Sequence, residues 1–217
     1  MSTLWVYDTA RSEQCAHARV SHMSLTRAWT NLCFQARLIK TPESLALKPS
    51  SRTMVEAYLC GGGSDGEPAV LIDCAQPLAA QGASSLRALL AEAGALRAAP
   101  GAVAYRFNHV GRLAFAPGAS VQEIGAHSRL AEAIVEHPDH SIEVLTDPSE
   151  LGAVESQLAR NGMRAAMRGV VRRAWCAIPL HSQALRAARG LLGIAVLDGV
   201  AGVYTDAAFA DEVLAQV

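Results

Sequence analysis

The last quarter of the chain constrains the fold most. Between Ala174 and Val217, two apolar runs, Ala174–Leu180 and Gly190–Asp198, are separated by a polar loop and followed by an amphipathic stretch from Thr205. Short apolar runs bounded by turn residues read as buried strands. The final stretch sets Phe209, Val213, Leu214 and Val217 toward one side and reads as a helix. Alternation in the first run would send Trp175, Ala177 and Pro179 to one face and Cys176, Ile178 and Leu180 to the other. Cys176 then belongs with the core, not in a dyad with His181. Trp29 and Trp175 are expected to serve core or interface packing.

Upstream, Leu4–Tyr7 reads as a short strand or docking segment. Leu25, Trp29, Leu32, Ala36 and Ile39 recur at helical steps over 21–39, and Thr41-Pro42 ends that helix. Met54–Cys60 and Ala69–Asp73 read as a hairpin around the glycine-rich Gly61–Pro68, the second strand apolar enough to be central. A break over 77–84 separates two expected regions: 1–83, an accessory helix and hairpin, and 84–217, the main domain. Within the latter, Ser84 or Ser85 opens a helix stopped by Pro100-Gly101. Asn108–Gly111 turns a second hairpin between Val103–Phe107 and Arg112–Phe115. Helical spacing covers 121–135, and Ser141–Leu145 alternates as a strand. Asp147-Pro-Ser-Glu150 has the chemistry of a helix start, and Asn161-Gly162 that of a stop or bend.

The chain has 217 residues, 51% hydrophobic and 18% charged, enough to bury a core. Its 19 basic and 20 acidic side chains nearly cancel, which excludes a bulk attraction to nucleic acid or an acidic membrane and leaves room for a local patch. The five cysteines are odd in number and form no Cys-x-x-Cys pair, so free thiols in a reducing compartment are expected. The start has no basic-then-apolar leader and no run approaches the roughly 20 residues of a membrane span. A soluble, cytoplasmic protein is expected.

From Ser84 onward the order of elements resembles the GAF-domain family of small-molecule sensors. The resemblance is carried by Ile178-Pro179-Leu180, by Leu192-Gly-Ile-Ala-Val-Leu197, and by Phe209 and Leu214 on the closing helix. It covers about 130 residues, of usual single-domain size. It implies an α+β fold with a central antiparallel sheet flanked by helices, GAF- or PAS-like, preceded by the N-terminal helix and hairpin. It also implies a ligand pocket between sheet and helices. The Asn-Lys-Phe-Asp-Glu pattern of cyclic-nucleotide-binding members is missing, as is a cysteine in a chromophore-attachment context, so no ligand residue carries over and no cofactor is named.

Several groupings carry chemistry. Arg160, Arg164, Arg168 and Arg172 repeat every four residues with Arg173 beside them, and no acidic residue lies between Glu155 and Asp198, a stretch holding seven arginines. On a continuous helix these would form one ridge suited to phosphates or an acidic partner, unless Gly162 breaks it. Arg164, Arg168, Arg172 and Arg173 are the anion- or partner-binding candidates. Tyr105, Phe107 and Phe115 are the pocket-lining candidates, should the expected hairpin face the covering helices; core packing explains them equally. Glu136-His137-Pro-Asp139-His140 collects metal-type ligands, but the proline keeps both imidazoles off one helical side and a surface turn is favoured. Cys60 before three glycines would suit an activated thiolate, yet the glycines suffice for a turn.

The leading expectation is a non-enzymatic regulatory module that binds a small molecule or a protein, with a protein partner or a second copy of the chain. The alternatives are an interaction protein using the Arg160–Arg173 surface for nucleic acid or an acidic partner, and a thiol or metal enzyme. Nucleic acid is the less favoured partner, and a membrane is not expected.

Overall fold

The structure, a computed structural model, describes residues 28–39, 53–61, 66–75 and 77–217. The expectations for Leu4–Tyr7, for the first turns of the 21–39 helix and for the loop over 41–52 lie outside the described residues.

Contacts divide the described residues into two compact units, one of residues 28–29 and 109–172, the other lying within 30–108 and 173–217. In the second, discontinuous unit, α1 (Ala28–Arg37) leads to β1 (Thr53–Leu59) and β2 (Ala69–Cys74), which pair antiparallel as the expected hairpin. β2 is buried along its whole length, as an unbroken apolar run in a sheet interior must be. Its other edge pairs with β9 (Val200–Thr205), and β1 takes β3 (Ala95–Arg97), giving the order β3-β1-β2-β9. α2 (Ala80–Glu92) and α5 (Ala184–Ala195) pack with Val70, Ile72, Cys74, Ala57 and Leu59 in one core. Phe34 of α1 joins it, its ring 5.1 Å from that of Phe209.

The opposite side of β1 is polar and holds a loop. The buried Glu56 carboxylate accepts from the backbone N–H groups of Gly101 (2.6 Å), Val103 (2.6 Å) and Ala104 (3.0 Å). Tyr58 donates its hydroxyl to the carbonyl of Ala102. The loop ends in a 3₁₀ turn, Ala104–Arg106, and enters β4 (Phe107–Phe115).

The other unit carries a four-stranded sheet, β5-β6-β4-β7, with β5 (Ala133–Glu136), β6 (Ile142–Thr146) and β7 (Met167–Ala174). β6 runs antiparallel to both β5 and β4. α3 (Val121–Ala126) and α4 (Leu151–Arg160) cover one face, where Leu113, Phe115, Ile124, Ile142, Val144, Val154 and Leu158 form a separate core.

An α+β fold with antiparallel sheets flanked by helices is therefore present, but several elements differ from expectation. Gly190–Asp198 is not a strand: it is the second half of α5 and the turn after it. The buried positions Ala184, Ala187, Ala188, Leu191, Ile194 and Ala195 recur at steps of three and four, with Arg186 and Arg189 on the exposed side, a helical rhythm lost over 190–197, where no polar residue falls. Thr205 ends β9 instead of opening a helix, and the terminal helix α6 is only Asp211–Leu214. The first closing run contributes just β8 (Ile178–Pro179), parallel to β10 (Ala207–Ala208).

The hairpin expected around Asn108–Gly111 is one continuous nine-residue strand, β4. Gly111 serves close packing and not a turn: a Cβ there would meet Thr146 Oγ1, and Leu151 Cβ at 3.0 Å. The spacing over 121–135 divides into α3 and β5. α2 begins at Ala80, ahead of the two serines, and the chain leaves it through Gly94 at φ +71°. Asp147 does not cap α4 but closes a turn, accepting from the Ser149 amide (2.8 Å) and hydroxyl (2.6 Å).

Candidate nucleic-acid interface

The arginine series begins where α4 stops. Beyond the cap residue Asn161, Gly162 lies at φ +80°, with its N–H bonded to the Ala159 carbonyl, while Met163 N–H reaches the Leu158 carbonyl. This pair of bonds is a Schellman closure, and the αL residue it needs is the glycine. The continuous helical ridge is therefore absent. Arg160 is the last helical residue, Arg164 is exposed in the connection, and Arg168, Arg172 and Arg173 lie on β7, an outer strand of its sheet.

Strand alternation puts Arg168 and Arg172 on one face of β7 and Arg173 on the other. Val170, between the first two, packs on the core beneath α4, and Arg168 reaches back to Glu155 of that helix at 3.1 Å. This pair is half exposed, so it contributes little to stability and leaves the guanidinium accessible to a competing anion. Arg160 bonds the Ser156 carbonyl at 3.2 Å, and its charge suits the C-terminal end of the helix. Arg172 is half-buried, and its Nε is enclosed with no hydrogen-bond partner. Arg173 belongs to the other unit, where it bonds the Ala174 carbonyl.

The other candidates separate. Phe107 opens β4 and Phe115 closes it; both are buried, and they fall in different units, Phe115 in the core under α3 and α4. Tyr105 stands in solvent at 74% exposure. A cavity of about 390 Å³ lies beside the start of α2 and the turn after α5, bounded by Leu78, Gln81, Ser85 and Asp198 among others, and includes none of the three.

In the 136–140 turn each candidate ligand has a protein partner. His137 Nε2 lies 3.1 Å from Glu143, His140 Nδ1 3.1 Å from Glu136, and Asp139 accepts from the Ser141 amide and hydroxyl. Burial alone would raise the Asp139 pKa, but these hydrogen bonds outweigh it and hold the carboxyl below its usual value. Among the described residues no group of three or more His, Cys, Asp or Glu is placed to hold a metal. Cys33, Cys60, Cys74 and Cys176 carry no disulfide. Burial, with the charge of Asp73, pushes the Cys74 thiol up to about 11.

Two residues gain importance only in three dimensions. Arg106, in the 3₁₀ turn, pairs with the buried Asp206 at 2.5 Å and donates to the Glu67 carbonyl at 3.1 Å. Trp175, expected to pack inside or at an interface, is 46% exposed. The neighbouring arginines were its only signal in the sequence.

Fold and site together define a two-unit α+β protein with an arginine-bearing sheet edge and, among the described residues, no helix long and apolar enough to cross a membrane. The family model described as the TACO1/YebC second and third domain matches residues 52–207, and the chain belongs to that family. A protein of Laribacter hongkongensis named "Probable transcriptional regulatory protein" is 32% identical over 155 residues, covering 70% of this chain and 62% of that protein. A protein of Azoarcus sp. with the same description is 33% identical over 158 residues, covering 71% and 65%. The chain thus spans about three fifths of the length of the curated relatives it matches. The crystal structure of a conserved hypothetical protein from Aquifex aeolicus superposes with a TM-score of 0.57 at 16% identity, covering 88% of this chain and 96% of that one, which is a likeness of fold.

These findings overturn the GAF resemblance and the small-molecule sensor drawn from it. Leu192–Leu197, which would be the last GAF strand, lies in α5 and the turn beyond it, and Ile178-Pro179 is a two-residue strand. The motifs that carried the resemblance are apolar strings that a buried helix of small residues satisfies as well as a strand.

Proposed function

We propose that this chain is a nucleic-acid-binding regulatory protein that grips the phosphate backbone through Arg164, Arg168 and Arg172. The observation that carries the reading is the arginine-bearing outer strand β7 with its preceding connection, set in a stretch free of acidic residues from 156 to 197. The names of the relatives, probable transcriptional regulatory proteins, support it. Net charge near zero means that attraction is local, so binding depends on this patch and not on the whole surface. Arginine suits the task because its planar fork matches two phosphate oxygens at once.

Fluorescence polarisation with labelled oligonucleotides across a salt series tests this. Affinity should fall linearly in log–log form, with a slope near −0.9 per duplex phosphate neutralised, or about −0.7 for single strands. Arg164→Glu with Arg168→Glu should abolish most binding. Glu155→Gln, which releases Arg168, should strengthen it. Wild-type protein that fails to bind at low salt, or binds independently of salt, would sink the proposal.

A further inference from the structure

On the unit of residues 30–108 and 173–217, Tyr105 and Trp175 stand in solvent at 74% and 46% exposure. The backbone brings their segments together: Trp175 N–H donates to the carbonyl of Arg106, the residue that follows Tyr105, at 3.1 Å. Neither is mounted on a loose loop. The segment before Tyr105 is fastened by three backbone N–H groups that donate to the Glu56 carboxylate, and Arg106 is tied to Asp206 and to the Glu67 carbonyl. Beyond Trp175, Ile178 N–H bonds the Asp206 carbonyl at 2.7 Å and Leu180 N–H the Ala208 carbonyl at 3.1 Å. Large aromatic surfaces cost free energy in water, and here the frame holds two of them outward instead of folding them in.

The surrounding charge indicates what they meet. Trp175 lies within the acid-free stretch, two residues after Arg173, and the Asp206 carboxylate nearby is already paired with Arg106. An anionic ligand with flat apolar faces complements such a surface. We propose that Tyr105 and Trp175 form a stacking platform for the unpaired bases of single-stranded nucleic acid. The proposal rests on the nucleic-acid reading above and adds the strand state of the ligand. Every base offers a π-face, so stacking tolerates any sequence, whereas bases inside a duplex are already stacked on one another.

The test is polarisation binding of one fluorescent oligonucleotide, single-stranded and annealed, to the wild-type chain and to Tyr105→Ala, Trp175→Ala, Tyr105→Phe and Trp175→Phe. Both sites are exposed, and circular dichroism with thermal melting confirms that each variant folds. Each alanine variant should weaken single-strand binding about tenfold while leaving the salt slope unchanged. The phenylalanine variants should stay within about threefold of wild type, and the preference for single strands should fall with the aromatics. Alanine variants that bind like wild type, while Arg164→Glu with Arg168→Glu does not bind, would overturn the platform and leave the phosphate-binding reading standing. Equal wild-type affinity for the duplex, or loss of self-association in place of nucleic-acid binding in the alanine variants, would also overturn it. A wild type that binds neither strand form would remove both readings.

Discussion

Single residues decide how the outer loop of the larger unit is held. Glu56 sits in a strand whose alternation was readable, but its three amide partners lie more than forty residues downstream and nothing local points to them. Burial opposes its charge, and the three N–H donors prevail, holding the carboxyl below its ordinary value of 4.5. A depressed folded pKa means stability that is complete above the unfolded value and lost as pH falls through the folded one. Glu56→Gln should therefore cost about 1.5–3 kcal/mol at neutral pH, by denaturant melts. The gap to wild type should close below pH 4.5, as the wild-type carboxyl takes up its proton. Asp206 shifts the other way: burial pushes it up to about 6 against the pull of Arg106 and the Ala69 amide. Its ionised form is thus disfavoured by folding, and the chain should take up a proton on folding between pH 4 and 6, a linkage absent from Asp206→Asn. Cys74, at about 11, should be the slowest of the described thiols to react with iodoacetamide at pH 8 in the folded protein and should react at an ordinary rate once unfolded.

At the scale of elements, several strands were legible and the buried helix α5 was not. β1, β2 and β6 show alternation or an unbroken β-rich run. α5 packs so closely on α2 that its contact residues must be small, and Arg186 and Arg189 mark its exposed side only in the first half, leaving 190–195 with no polar residue to carry the period. Gly190 is where the two helices touch: a Cβ would lie 2.7 Å from Ala93 Cα, a backbone atom that cannot swing aside. Gly190→Ala should therefore destabilise by about 1–3 kcal/mol despite the higher helix propensity of alanine, since overpacking outweighs propensity here. Thermal melts would show a loss of several degrees, whereas the same substitution at the exposed, open Gly152 of α4 should stabilise. The arginine series was legible as composition, but not as geometry. Its four-residue step suggested a helix, and the glycine closure at Gly162 moved most of it onto an outer strand.

Over the whole molecule, the larger unit is discontinuous: β2 lies between β1, its neighbour in the chain, and β9, which arrives some 130 residues later. Removing residues 173–217 would take away β9 and α5 together, stripping one side of β2 and the main partner of α2. Hydrogen exchange on such a truncation should find the amides of β1 and β2 unprotected, although both strands are intact in sequence. Several things were settled by the amino-acid order alone: an α+β chain, the first hairpin, near-neutral net charge, and an arginine-rich, acid-poor segment. Each of these is a local or additive property. Tertiary structure decided which apolar strings became helix and which became strand, because burial on all sides erases the periodicity that distinguishes them. It also decided that Glu56 fastens a distant loop and that Arg172 is left with an enclosed, unpartnered Nε. The apolar closing quarter, first read as two buried strands, became a helix, one long strand and a short ladder. Trp175, read as a packing residue, was left facing water, because its surroundings are not specified until its segment bonds to the turn around Arg106, some seventy residues upstream.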